Sequence, residues 1–195
     1  MAKNILLILG HPSKKSFNKA LLDAYQKGAE SVGATCKTIY ISDLNFDVNL
    51  ADGYKTGKTD QLEADLVAAQ KLFQWANHVV FVFPNWWGAM PAITKGFIDR
   101  LFLPGFAFKN HSGKNFPEQL LKGKSMRILV TMDTPKFWFY LVHRASLYRI
   151  LKKVVFGYVG FKPISFSTFG FMRKSTDVQR NKWLSKTEIL GKQFI

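Results

Sequence analysis

The sequence is poor in acid and nearly free of cysteine. Only 13 Asp/Glu stand against 28 Lys/Arg in 195 residues, a formal net charge of +15. Such a field draws anions: phosphorylated cofactors, acidic lipid or nucleic acid. A solvated basic surface on a soluble protein accounts for it equally well. The deficit is uneven. Residues 1–100 hold 11 Lys/Arg and 9 Asp/Glu, whereas residues 101–195 hold 17 and 4. Cys36 is the single cysteine, so no intramolecular disulfide can form and no cysteine framework for zinc exists. It opens a strand-like run and reads as a buried, inert thiol. No metal site is expected. Long hydrophobic runs are also missing. Ile5–Leu9, the first apolar stretch, is too short for a membrane span or for the core of a secretion signal, so a cytoplasmic protein is expected. No GxGxxG, no Walker loop, no basic low-complexity tail and no nucleic-acid-binding module is present.

What is there suits one α/β domain over residues 1–195. Hydrophobic residues make up 47% of the chain, which supports a sizeable core and argues against disorder. Aromatics reach 15%, with 18 Phe. They form either a Phe-rich core or a flat apolar slot for planar ligands.

The pattern along the chain alternates strand and helix. Asn4–Leu9 and His78–Phe83 are apolar throughout, as strands buried on both faces are. Thr35–Ile41, Met126–Met132 and Pro163–Phe169 supply three more strands. Helices are expected over about Ser16–Val32, with Gly33 where a C-cap falls, and from a Thr59 cap through Ala76. Three more follow: Pro91–Arg100, a basic helix over residues 138–156, and a closing helix over residues 176–192. Residues 42–58 and 103–117 read as connections. This alternation implies βαβ units and a five-stranded parallel sheet of flavodoxin-like order 2-1-3-4-5 between two helical layers. Ligands of such sheets bind beyond the carboxyl ends of the strands, near the switch between strands 1 and 3. That brings together the turns after Leu9, Phe83 and Met132.

The first turn, Gly10-His11-Pro12-Ser13-Lys14-Lys15-Ser16-Phe17-Asn18, joins a buried strand to a helix N-terminus. Free N–H groups and the helix dipole bind phosphate there. Ser16 can donate a hydroxyl, and His11 and Asn18 can add side-chain donors. The plainer alternative is that Ser16 caps the helix and His11 is a turn residue. The second turn, Pro84-Asn85-Trp86-Trp87-Gly88-Ala89-Met90, holds adjacent tryptophans that are costly unless they pack on something: a planar ligand, the core or a second subunit.

These two segments, with Pro91-Ala92, Lys95-Gly96, Asp99-Arg100, Gly105-Phe106-Ala107-Phe108 and Gly160-Phe161-Lys162-Pro163, resemble the flavodoxin-like NAD(P)H:quinone oxidoreductase family. The likeness runs from the first strand to the last helix. It implies a non-covalent flavin, FMN or FAD, with NAD(P)H as electron donor. His11, Ser16, Phe17 and Asn18 would hold its phosphate end. Pro84, Asn85, Trp86, Trp87 and Gly88 would line the isoalloxazine, completed by Thr131, Met132, Asp133 and Thr134. Gln70 and Arg180 match positions that touch the rest of the cofactor in FAD-binding members. Phe106 and Phe108 would face the substrate, across the interface of a homodimer.

One departure stands out. Some members carry Gly-Gly after the fourth strand, then a Tyr and a His that assist proton transfer. Here the text is Asp133-Thr134-Pro135-Lys136, as in a bacterial-type subgroup, and Tyr140 and His143 are the nearby catalytic candidates. The Asp133 carboxylate would either oppose an anionic reduced flavin or cap the turn that follows it.

The leading expectation is therefore two-electron transfer from NAD(P)H to a quinone-like acceptor by a ping-pong mechanism. A flavin-binding ancillary subunit of a membrane transporter is the alternative, its basic half resting weakly on the membrane surface. A nucleic-acid binder ranks last, because the aromatics cluster in the presumed cofactor loops and not among the Lys/Arg.

Overall fold

Apolar runs without polar alternation become strands covered on both faces. The computed structural model, which describes residues 3–50, 62–113 and 115–194, shows this directly. In chain order it contains β1 (Asn4–Leu9), α1 (Phe17–Glu30), β2 (Thr35–Tyr40), α2 (Ala64–Trp75), β3 (His78–Pro84) and α3 (Ala92–Leu101). The two-residue strands β4 (Phe108–Lys109) and β5 (Glu118–Gln119) follow, then β6 (Ser125–Thr131), α4 (Lys136–Leu141), α5 (Ser146–Ile150) and α6 (Phe156–Val159). The last elements are β7 (Ile164–Phe169) and α7 (Asp177–Gln193). Every residue of β3, and Ile5 to Leu9 of β1, is buried.

Five strands form a parallel sheet in the order β2-β1-β3-β6-β7, the flavodoxin-like arrangement. The β4–β5 pair is a separate antiparallel ladder, with β4 inside the 103–117 stretch expected to be loop and β5 just beyond it. One sheet face is covered by α2, α3 and the α5–α6 stretch through Phe73, Phe97, Phe156 and their neighbours. The other is covered by α1 and α7 through Leu21, Leu22, Tyr25 and Trp183. The crossing of α1 and α7 is close because it is built on glycine. A Cβ on Gly28 would collide with the Glu188 carbonyl, and one on Gly191 with the Tyr25 carbonyl.

Two expectations need revision. The basic helix over 138–156 is not continuous: Arg144 and Ala145 adopt φ of 49° and 46°, a left-handed pair that ends one helix and starts another. Beyond α5 the chain also widens into a π-helical turn over Leu151–Val155. The second helix begins at Ala64, and its expected cap at Thr59 lies outside the described residues. Among the described residues, no helix is long and apolar enough to cross a membrane.

Candidate functional site

The strand ends of β1, β3 and β6 set the site. Gly10, leaving β1, donates its N–H to the Val82 carbonyl at 2.7 Å and accepts the Thr94 hydroxyl at 2.8 Å. A Cβ there would stand 2.9 Å from Thr94 Cγ2 and 3.0 Å from Phe83 Cβ, so only glycine admits this approach of α3 to the β1 end.

From Gly10 the chain turns through His11–Lys15 into α1. Ser16 is the N-cap, its hydroxyl accepting the Lys19 N–H at 3.4 Å. The N–H groups of Phe17 and Asn18 fall in the first turn, where no intrahelical acceptor exists. His11 Nδ1 accepts the Ser13 N–H at 2.9 Å, so the ring proton sits on Nε2. Burial outweighs that bond and lowers the His11 pKa below its ordinary value. At neutral pH the ring is thus an uncharged Nε2–H donor. Asn18 is buried, and its Oδ1 accepts the Thr131 hydroxyl at 3.2 Å, which ties α1 to the end of β6.

After β3 the chain makes a tight reversal. Trp86 and Ala89 exchange N–H···O bonds of 2.9 and 3.0 Å, and the central pair, Trp87 and Gly88, has φ of 53° and 78°. Two positive φ values at the centre define a type I′ geometry, which a tryptophan adopts only under strain. The Trp87 side chain is fully exposed. Trp86 stands edge-on to the His11 ring, 5.5 Å between centroids, which joins the first turn to the second. The N–H groups of Asn85, Trp86 and Ala89 are spent on protein carbonyls, so only those of Trp87 and Gly88 remain to face a ligand. Asn85 Oδ1 is buried without a hydrogen-bond partner among the described residues.

The second turn borders an open cavity of about 720 Å³, within the usual size range of small-molecule sites. Its walls are Pro84–Gly88, Thr131–Thr134, His143, and Met172 with Arg173. The expected ring-side residues and His143 line it, whereas His11, Ser16, Phe17 and Asn18 do not and reach its wall only through the His11–Trp86 and Asn18–Thr131 contacts. Arg180 is set beside the first turn: its guanidinium lies 5.7 Å over the Phe17 ring and is held by the Ser175 hydroxyl at 2.8 Å and the Met172 carbonyl at 3.3 Å.

Four expected residues are placed elsewhere. Gln70 donates to the Leu101 carbonyl at 3.1 Å, a bond that ties α2 to α3. Phe106 is buried in the core against Phe73 and does not line the cavity. Phe108 packs on Tyr158, 5.6 Å between centroids, away from the cavity of its own chain. Tyr140 does not join His143; it hydrogen-bonds the Thr168 hydroxyl at 2.9 Å, which Tyr148 also engages at 2.6 Å. Tyr140 lies within α4, whereas His143 falls just past the end of that helix, beyond its C-cap at Val142. Asp133 caps no adjoining turn. It binds Arg173, forty residues on. Met172 and Arg173 were missed, although the strand-end rule, applied to β7, leads to them.

Comparison with known proteins agrees with this geometry. Residues 3–188 match the sequence model of a family described by its flavodoxin-like fold. The chain belongs to this flavodoxin-like family. Among its members, an uncharacterized NAD(P)H oxidoreductase of Haemophilus influenzae is 28% identical over 181 residues, covering 91% of this chain and 88% of its own length. The crystal structure of a flavodoxin-like relative from Streptococcus mutans superposes with a TM-score of 0.82 at 31% identity, covering 97% of this chain and 99% of that one. An NAD(P)H:quinone oxidoreductase from Methanothermobacter marburgensis has the same fold, TM-score 0.82 at 20% identity, covering 99% and 97%.

The flavodoxin-like site fits a flavin on its own evidence. An unpaired buried carbonyl at Asn85 and two uncommitted N–H groups at a strained aromatic turn stand on the cavity wall, and a helix N-terminus adjoins that wall through His11–Trp86 and Asn18–Thr131.

Proposed function

We propose that this protein is a flavin-dependent NAD(P)H oxidoreductase that reduces quinones or similar electrophilic acceptors. One observation carries the reading. The turns after β3, β6 and β7 line one open cavity, Asn85 on its wall has a buried Oδ1 with no partner among the described residues, and the α1 N-terminus is tied to that wall through the His11–Trp86 ring contact and the Asn18–Thr131 hydrogen bond.

Each residue then has a task. The Ser16 hydroxyl, the Phe17 and Asn18 N–H groups and the His11 Nε2–H bind the phosphate of FMN or FAD, with Arg180 adding charge from behind Phe17. The Asn85 carbonyl accepts from a ring N–H, and the Trp87 and Gly88 N–H groups donate to ring heteroatoms. Trp86 and Trp87 shield the ring face from water. When bound, the flavin supplies reversible two-electron chemistry between the nicotinamide and the acceptor. The net reaction consumes NAD(P)H, a proton and quinone and yields NAD(P)⁺ and hydroquinone. A single cavity admits donor and acceptor in turn, which gives ping-pong kinetics. His143 on the cavity wall is the group placed to pass the proton.

A homodimer completes the proposal. Trp87, Phe137 and Leu141 are largely exposed around or near the cavity mouth, the kind of apolar surface a second copy covers. The Phe108–Tyr158 pair would then contribute to the partner's cavity.

The test is direct. Purified protein is expected to be yellow, or to take up FMN or FAD, and to oxidise NADPH or NADH when menadione is added. Protein that binds neither flavin and turns over neither donor overturns the reading.

A further inference from the structure

A second groove opens on the far side of the strip that walls the flavin cavity. It has a volume of about 620 Å³ and runs along the open edge of β7, between α4 and α7. Its cationic lining is Lys136, Lys182 and Lys186, and no Asp or Glu lines it. None of the three lysines forms an ion pair among the described residues. Lys182, Trp183 and Lys186 follow helical spacing on α7, so a single strip of that helix presents two ammonium groups and one indole to the groove. Thr176, the N-cap of α7, closes one end.

The charge behind the groove has the same sign. Ser167, on its floor, accepts a 2.7 Å bond from Arg127. That guanidinium is only 5% exposed, and its Nε has no partner among the described residues. No carboxylate pairs with it among those residues. Repulsion is felt within the groove itself: burial, and then the nearby Lys186 ammonium, lower the Lys136 pKa below its ordinary value. An uncompensated cluster of this kind is relieved by an anion.

The walls of the groove and of the flavin cavity adjoin along the chain. Thr134 lines the cavity and Lys136 the groove; Arg173 lines the cavity and Thr176 the groove. Two or three residues of chain span at most about 7–10 Å. A ligand seated by one end over the flavin ring can therefore place its other end against the lysines.

We infer that this groove receives the phosphate-bearing adenosine end of the donor nucleotide, and that Lys136, Lys182 and Lys186 select the 2′-phosphate of NADPH over the free hydroxyl of NADH. The inference rests on the function proposed above. The aromatic lining, Trp183 and Phe166, suits a purine ring, and the lysines suit a dianion.

The experiment uses the flavin-loaded full chain and a Lys182→Gln/Lys186→Gln variant, with Lys71→Gln on α2 as a control for lost charge alone. Calorimetry with adenosine 2′,5′-bisphosphate, 5′-AMP and inorganic phosphate reads the groove without turnover. Steady-state kinetics with NADPH and NADH reads selection. Wild type and Lys71→Gln are expected to bind the bisphosphate at least about tenfold more tightly than 5′-AMP, as loss of charged hydrogen bonds predicts. The double variant is expected to lose that margin, and its NADPH/NADH ratio of kcat/KM to fall by a similar factor. Equal affinity for the two nucleotides in wild type, or an unchanged ratio in the double variant, overturns the inference. Inorganic phosphate binding as tightly as the bisphosphate overturns it too, marking a free-phosphate site. Should neither donor be oxidised, the proposed reaction fails, and the calorimetric comparison still decides the groove.

Discussion

Asp133 and Arg173 meet on the wall of the candidate cavity although forty residues separate them. One carboxylate oxygen accepts the Arg173 N–H at 2.9 Å, and the other lies 3.0 Å from the Arg173 Nε. The carboxylate thus fixes the turn after β7 against the turn after β6. It is tied to a cation and is not a free charge aimed at the ring.

Removing the backbone half of that link should loosen the cavity. Asp133→Ala is expected to weaken FMN binding several-fold, whereas Asp133→Asn, which keeps an acceptor for the Arg173 N–H, retains most of it. Arg173→Ala should leave the melting temperature unchanged, because exposed ion pairs contribute little. Fluorescence titration of flavin and thermal melts read all three. Equal loss in the Asn and Ala variants would show that charge, and not the backbone bond, matters.

Trp87 bears backbone strain that its own fold does not repay. Its φ is 53° and its side chain contributes nothing to the core. Trp87→Gly is expected to hold or raise the melting temperature, since glycine tolerates that conformation. Turnover of NADPH with menadione should fall by roughly tenfold or more, as loss of an aromatic face of about 1–2 kcal/mol implies. A stability loss with full activity would reverse this assignment.

Ser16 is the helix cap and, in the proposed function, also a phosphate ligand, and the two roles separate by measurement. Ser16→Ala should cost about 1 kcal/mol of stability in urea melts, the usual price of a lost cap. It should also weaken flavin binding by more than that destabilisation explains. Ser16→Asp restores the cap but sets a negative charge against the phosphate, so stability returns while flavin affinity does not.

His78 predicts an acid-sensitive fold. It is buried between Tyr25 and Ser125, with hydrogen bonds of 3.0 and 2.7 Å. Burial, reinforced by the Lys3 and Arg127 charges, lowers its pKa to about 3. The unfolded chain takes up a proton near pH 6.5, where the folded chain does not. Stability from the neutral ring is therefore complete above about pH 6.5 and declines as pH falls from there toward 3. The slope is about 1.4 kcal/mol per pH unit. Urea midpoints between pH 7.5 and 4.5 should fall more steeply for wild type than for His78→Gln. Parallel curves would contradict the assignment.

Much of the architecture was legible because it is written in apolar runs. Ile5–Leu9 and His78–Phe83 can only be strands covered on both faces, and their order follows from the helices between them. Ser16 and the Trp86–Gly88 turn were legible because capping and reversal chemistry are local. The break at Arg144–Ala145 was not, since neither glycine nor proline marks it. The Asp133–Arg173 bond was hidden for the opposite reason: it depends on two strand ends that only the finished sheet brings together. Phe106 misled because an aromatic residue in a glycine-bounded loop reads alike whether it faces a ligand or the core.

The glycine-built crossing of α1 and α7 has a consequence for how the molecule is made. On a ribosome, α1 emerges before α7, which follows all the described strands. Until then the outer flank of α1, with Tyr25 and Leu22, lies bare to chaperones and proteases. The first turn of α1, the proposed phosphate cradle, is thus translated well before the helix that secures it.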